Sequence, residues 1–131
     1  MAFLIDSDIL IYSLKGEPQV TANFLRHETE PKFVSVVSYG ELLFGAYNSQ
    51  KIEKNLAVIY KLRTLFPVIP IDQAIMEIFA KLKAQRRKTG QTIDDMDLLI
   101  ASTALCNNLT LVTNNLKHFK SIAGLPVANW R

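Results

Sequence analysis

The sequence has a single cysteine, Cys106, so no disulfide framework can staple it. Packing must hold the fold, and a reducing cytoplasm is the expected setting. One cysteine and two histidines are too few for the usual zinc site built from those residue types. Long uninterrupted apolar runs are also missing. The opening stretch, MAFLIDSDILIYSL, comes nearest, but Asp6 and Asp8 break it and no basic residues precede it. It reads as neither a membrane span nor a secretory signal. Repeats, low-complexity tracts and linker-like stretches are absent, which leaves residues 1–131 to form one domain. What is present suits that reading: 49% of residues are hydrophobic and 21% charged, enough apolar material to bury a core. The net charge of +3 and pI near 9.1 are compatible with a polyanionic partner without requiring one.

Short apolar runs alternate with helical patterns. Ala2–Ile5 has the continuous apolar character of a strand buried on both faces. Residues 9–14 read as a short helix stopped by Gly16 and Pro18, and residues 19–29 as another. Phe33–Val37 is predicted as a second strand, followed by helices over 38–47 and 51–65. FPVIP (66–70) reads as a third strand, and Asp72 as the cap of a helix running to Lys88 that Gly90 ends. Another helix starts at about Asp94, LTLVT (109–113) is a fourth strand, and LPVANW (125–130) supplies a fifth. Strands separated by helices predict parallel pairing in an α/β layer architecture. In such sheets ligands gather beyond the carboxyl ends of the strands. The residues there are Asp6, then Ser38 and Glu41, then Asp72, then Thr113, Asn114 and Asn115.

Besides Asp72, acids stand at two of these strand ends and at the start of the helix near Asp94. Asp6 alone reads as a helix cap or a solvated strand end, and Asp8 can cap the same helix. Ser38-x-x-Glu41 has the spacing of a capping box. The helix around Glu41 is apolar nearly all round, which predicts that Glu41 sits near buried surface. Asp94 and Asp95 are placed as cap and first-turn acids, favoured by the helix dipole. Asp97 is different. It shares a helical face with Ile100, Ala101 and Ala104, and no lysine or arginine on that face neutralises it. An inward carboxylate costs several kcal/mol unless it is paired or bound to metal. One economical account covers acids converging from separate strand ends: they hold a hard divalent cation such as Mg²⁺ or Mn²⁺. Such an ion acidifies water and polarises a phosphoryl oxygen, the chemistry of phosphodiester hydrolysis.

The segments FLIDSDILI (3–11), VSVVSYGELLFGA (34–46), IDDMDLLIASTAL (93–105), LTLVTNNLKHF (109–119) and GLPVANW (124–130) together resemble PIN-domain ribonucleases of the VapC toxin type. They occur in family order and cover nearly the whole chain. The resemblance implies a PIN-like three-layer α/β/α fold with a central, mostly parallel sheet of about five strands. It implies that Asp6, Glu41 and Asp97 bind Mg²⁺ or Mn²⁺, and that Asn115 completes the catalytic set. Asp8, Asp95, Ser38 and Thr113 are supporting positions around the ion. Asn115 departs from the family pattern, which often has an acid there or at the position of His118, so the site keeps an oxygen but loses a charge. His118 reads as a solvated residue and not as a ligand. The implied activity is endoribonucleolytic cleavage of structured RNA (tRNA or rRNA), leaving a 5′-phosphate and a 3′-hydroxyl and stopping translation. The protein would be the toxin of a toxin–antitoxin pair, a homodimer neutralised by a VapB-type antitoxin that supplies any DNA binding.

Two surfaces bear on those partners. KLKAQRRKTG (81–90) is rich in basic residues close to Asp94, and Arg86, Arg87 and Lys88 are candidates for RNA contact because a carboxylate pocket itself repels phosphates. Lys117 and Lys120 form a second, weaker patch. Tyr12, Leu43, Phe44 and Tyr47 lie on apolar helices and are candidates for antitoxin contact. Two other classes fit parts of the pattern: a catalytically silent PIN-like module that binds RNA or protein, favoured by Asn115, and a phospho-receiver, disfavoured by the lack of a lysine at Thr113–Asn115.

Overall fold

The computed structural model describes residues 1–131. Five short strands form one parallel sheet: β1 (Phe3–Ile5), β2 (Lys32–Ser35), β3 (Val68–Ile69), β4 (Thr110–Val112) and β5 (Val127–Ala128). Their order is β3-β2-β1-β4-β5. The helices are α1 (Ser7–Leu14), α2 (Pro18–Arg26), α3 (Val36–Tyr47), α4 (Ile52–Leu65), α5 (Gln73–Thr89), α6 (Asp95–Cys106) and α7 (Leu116–Phe119). Successive strand side chains point to opposite faces, and β1, buried throughout, shows what that does. Phe3 and Ile5 enter one core with residues of α1 to α4, such as Ile9, Val20, Leu42 and Ile59. Leu4 enters the other, with Leu98 and Ile100 of α6 and Phe119 of α7, while Phe79 of α5 packs at its edge. The result is the three-layer α/β/α arrangement.

Topology selects the place where a site can form. The chain steps outward from β1 through β2 to β3, then returns to lay β4 and β5 on the other side of β1. Loops after β1 and β4 therefore diverge and leave a crevice at their carboxyl ends, the usual ligand position of an open parallel sheet. Asp6 follows β1 and Thr113 follows β4.

Local chemistry explains most boundaries. Asp72 caps α5, accepting from the Ile75 amide at 2.9 Å, and Gly90 closes it at φ +73°, a left-handed conformation that glycine adopts without strain. The third strand shortens to Val68–Ile69 between prolines that donate no ladder hydrogen bond. The second strand ends at Ser35, two residues before its expected limit. Ser35 is the helix cap: its hydroxyl accepts from the Val37 amide at 3.1 Å, so Val36 and Val37 open α3 despite their β-branched side chains. This overturns the capping box expected at Ser38 and Glu41. The four-residue helix α7 is too short for hydrophobic periodicity to reveal.

Candidate functional site

Asp6 joins β1 to α1 and is the cap of that helix, the role expected of it; Asp8 lies inside the first turn. One carboxylate oxygen, Oδ1, accepts from the Ser7 amide at 2.9 Å and from the Ser38 hydroxyl at 3.4 Å. The other, Oδ2, accepts from the Thr113 hydroxyl at 2.8 Å. Thr113 Oγ1 in turn accepts from the Asn115 amide at 3.0 Å, so the loop after β4 orients the hydroxyl toward Asp6. Asp6 is only 5% exposed. Burial, then the negative charge of Asp8, push its pKa from 3.8 to about 6, although the hydrogen bonds from Thr113 and Ser7 oppose the rise.

The other acids crowd the same crevice. Asp8 Oδ1 accepts from the Ile9 amide at 2.7 Å and Oδ2 from the Asn114 amide at 3.0 Å. Burial raises its pKa, and the charge of Asp97 adds to the rise. Glu41 lies on the accessible side of α3 and borders apolar surface, as the apolar character of its helix predicts. Its carboxylate is still partly shielded: burial first, then the charge of Asp97, raise its pKa, while a 3.4 Å hydrogen bond from the Ser7 hydroxyl works the other way. Asp97 is half-buried above the fully buried Ile100 and Ala101, as its helical face predicts. Its partner comes from another element: His118 Nδ1 lies 2.8 Å from Asp97 Oδ2. The expectation that His118 is merely solvated is thereby corrected. Its ring is exposed but engaged, because α7 turns it toward α6.

No lysine or arginine pairs with Asp6, Asp8, Glu41 or Asp97; the ammonium and guanidinium ion pairs of the chain lie elsewhere, at Lys83–Asp95, Arg131–Glu17 and the amino terminus with Glu30. The four carboxylates feel one another's charge, but no three acidic, histidine or cysteine side chains already meet at ligand distances. Their chemistry fits a hard cation: the donors are oxygens, one is almost fully buried, and burial plus like-charge repulsion penalise the ionised forms of Asp6, Asp8 and Glu41 until something positive arrives.

The remaining candidates divide. Asp94 caps α6, accepting from the Met96 amide at 3.1 Å. Asp95 is exposed and tied to Lys83 at 3.0 Å, which occupies the carboxylate expected to support the ion. Asn115 presents its backbone amide to Thr113 while its side chain is exposed. Arg86 is held by Ser121, its guanidinium donating to Oγ at 2.9 Å, whereas Arg87 and Lys88 are exposed. Phe44 and Tyr47 are exposed at 69% and 56%. Tyr12 and Leu43 pack partly into the core, and Tyr12 also carries the Arg131 guanidinium 4.3 Å above its ring. Ser7, Asn114 and His118 bind the acids without having been singled out as site residues. Asn114 had a signal in its position just after the fourth strand, and His118 in its place just before the buried Phe119 in the LKHF run.

Apolar grooves flank Glu41. One, of about 860 Å³, runs past Ile11, Val37, Phe44 and Met96; another, of about 460 Å³, past Leu14, Leu42 and Val58. No helix of the chain is long and apolar enough to cross a membrane.

Comparison with known proteins gives a consistent result. A family model described as PIN domain matches residues 3–125. A protein named Ribonuclease VapC2 from Rickettsia felis is 30% identical over 132 residues, covering 99% of this chain and 98% of that protein. A protein named tRNA(fMet)-specific endonuclease VapC from Shigella flexneri is 29% identical over 130 residues, with the same coverage. In a crystal structure of VapBC2 from Rickettsia felis bound to a DNA fragment from its promoter, one chain matches with a TM-score of 0.92 at 28% identity, covering 100% of both chains.

Proposed function

This chain belongs to the PIN-domain family, among the VapC-type ribonucleases, and from that premise we propose that it is a divalent-metal-dependent endoribonuclease acting as the toxin of a toxin–antitoxin pair. We read residues 1–131 as one such domain working in the cytoplasm. The observation that carries the reading is the buried Asp6 carboxylate at the switch point of the sheet, beside Asp8, Glu41 and Asp97, with no ammonium or guanidinium to neutralise the group.

Asp6, Glu41 and Asp97 would hold Mg²⁺ or Mn²⁺, and Asp8 would support them. When bound, such an ion supplies Lewis acidity toward water and the phosphodiester oxygens. The residues of the chain prepare that chemistry. Thr113 and Ser38 hold both oxygens of Asp6 in place, and the loop amide of Asn114 holds Asp8. Ser7 steadies Glu41 from the neighbouring helix. Fixing these groups before substrate arrives lowers the reorganisation needed for the reaction. Arg87 and Lys88, exposed at the end of α5, offset the repulsion between RNA and the acidic crevice. A structured RNA, tRNA or rRNA, is the substrate class.

The grooves beside Glu41 suit an antitoxin segment whose apolar side chains cover Phe44 and Met96 while a basic group reaches the acids. That partner, with a second copy of this chain, would form the complex, and DNA contact would belong to the antitoxin.

The test is Asp97→Asn in the purified full chain. Loss of an outer partner of a metal ligand commonly costs 10–100-fold, so loss of a ligand is expected to lower RNA cleavage by roughly 100-fold or more, with an unchanged circular dichroism spectrum. Cleavage at the wild-type rate would overturn the assignment.

A further inference from the structure

Asp97 occupies an awkward position. It is half-buried on α6, and the residues on its own helical face, Ile100, Ala101 and Ala104, offer no donor. A carboxylate can only accept hydrogen bonds. In this fold one side chain donates to it, the imidazole of His118, 21 residues away in sequence. The arrangement is braced from below. Phe119, the next residue, is fully buried in the core beneath α6, and the His118 amide donates to the Asn115 carbonyl at 3.1 Å. The backbone of His118 is therefore fixed while its ring remains open to solvent on one side.

From this geometry we infer that His118 is a positioning residue for Asp97: its Nδ1–H holds Oδ2 and leaves Oδ1 free to serve a divalent cation. The role needs only the proton on Nδ1, which the Nδ1–H neutral tautomer and the imidazolium both carry. A rotating carboxylate loses side-chain entropy when it takes up a ligand's position, and a held one loses less. The inference rests on the metal-dependent reading of the site and adds a residue to it.

Mn²⁺ titration calorimetry on the full chain without RNA tests the inference, because binding is read apart from turnover. Four variants are compared with wild type. Asp97→Asn is expected to abolish binding. His118→Ala is expected to weaken it by about 10- to 100-fold, the usual cost of losing the outer partner of a ligand. His118→Asn, whose amide nitrogen falls where Nδ1 stands, is expected to recover most of the affinity. His118→Gln, whose amide reaches the Nε2 side instead, is expected to resemble alanine. His118 is exposed, so these changes leave the fold intact, and thermal melting checks that. Wild-type affinity in His118→Ala, alongside loss in Asp97→Asn, would overturn the positioning role and leave the metal site standing. Equal affinities for the asparagine and glutamine variants would overturn it as well. Undiminished binding by Asp97→Asn would remove the metal reading itself, and this inference with it.

Discussion

The two ends of β1 are three residues apart and chemically opposite. At the amino end Phe3 meets an aromatic box: Trp130 lies edge-on at 5.0 Å, and His27 stacks flat against Trp130 at 5.0 Å. Phe24 completes it at 5.1 Å. Trp130 is 4% exposed, and its backbone carbonyl accepts from the Asn23 side-chain Nδ2 at 3.0 Å. At the carboxyl end Asp6 is equally buried but stands among anions. One end lowers the free energy of the fold through packing; the other stores a cost that a cation can relieve. The comparison shows why burial alone does not identify a core: what matters is also whether each buried charge has a counter-charge within the chain.

Trp130→Ala attacks the packed end and is expected to have the largest effect on stability, about 3–5 kcal/mol, read by urea unfolding. Trp130→Phe, which keeps a ring in the box, is expected to lose less and to leave Mn²⁺ affinity unchanged. A change in metal affinity in that variant would show that the two ends are coupled.

Asp6→Asn attacks the other end and is expected to act in the opposite direction. An acid whose folded pKa lies above its unfolded value stabilises the fold most when protonated. For Asp6 that contribution is complete below 3.8 and lost as the pH rises through about 6. The loss is on the order of 3 kcal/mol at neutral pH, less whatever the amide forfeits in hydrogen bonds to Thr113 and Ser38. With a chelator present, the variant is therefore expected to melt above wild type at about pH 7 and to show no such advantage near pH 4. A variant less stable than wild type at neutral pH would mean that the hydrogen bonds outweigh the buried charge.

Lys83→Ala is expected to have the smallest effect. The Lys83–Asp95 pair lies at the surface, with side chains 45% and 57% exposed, and such pairs contribute less than about 1 kcal/mol. A larger loss would show that the α5–α6 contact depends on charge as well as packing.

Much of the architecture was legible in the residues. Alternating apolar runs and helical patterns implied the parallel layered fold, and Asp72, Gly90 and Asp94 marked helix ends through capping rules that act over three or four residues. Asp97 was legible for a similar reason, since its helical face is set by local geometry. Ser38 was misassigned because two serines compete to cap α3, and only the turn of the chain after β2 favours Ser35. Asp95 was expected to support a cation, and its pairing with Lys83 was not legible because that lysine belongs to another helix.

By itself the sequence determined where the longer helices and the five strands form and which carboxylates stand near strand and helix ends, because periodicity and capping operate between near neighbours. Tertiary structure alone decided which of those acids share a crevice and what holds them. Thr113 reaches Asp6 across 107 positions and His118 reaches Asp97 across 21, contacts that exist only once the order β3-β2-β1-β4-β5 has brought the loops together.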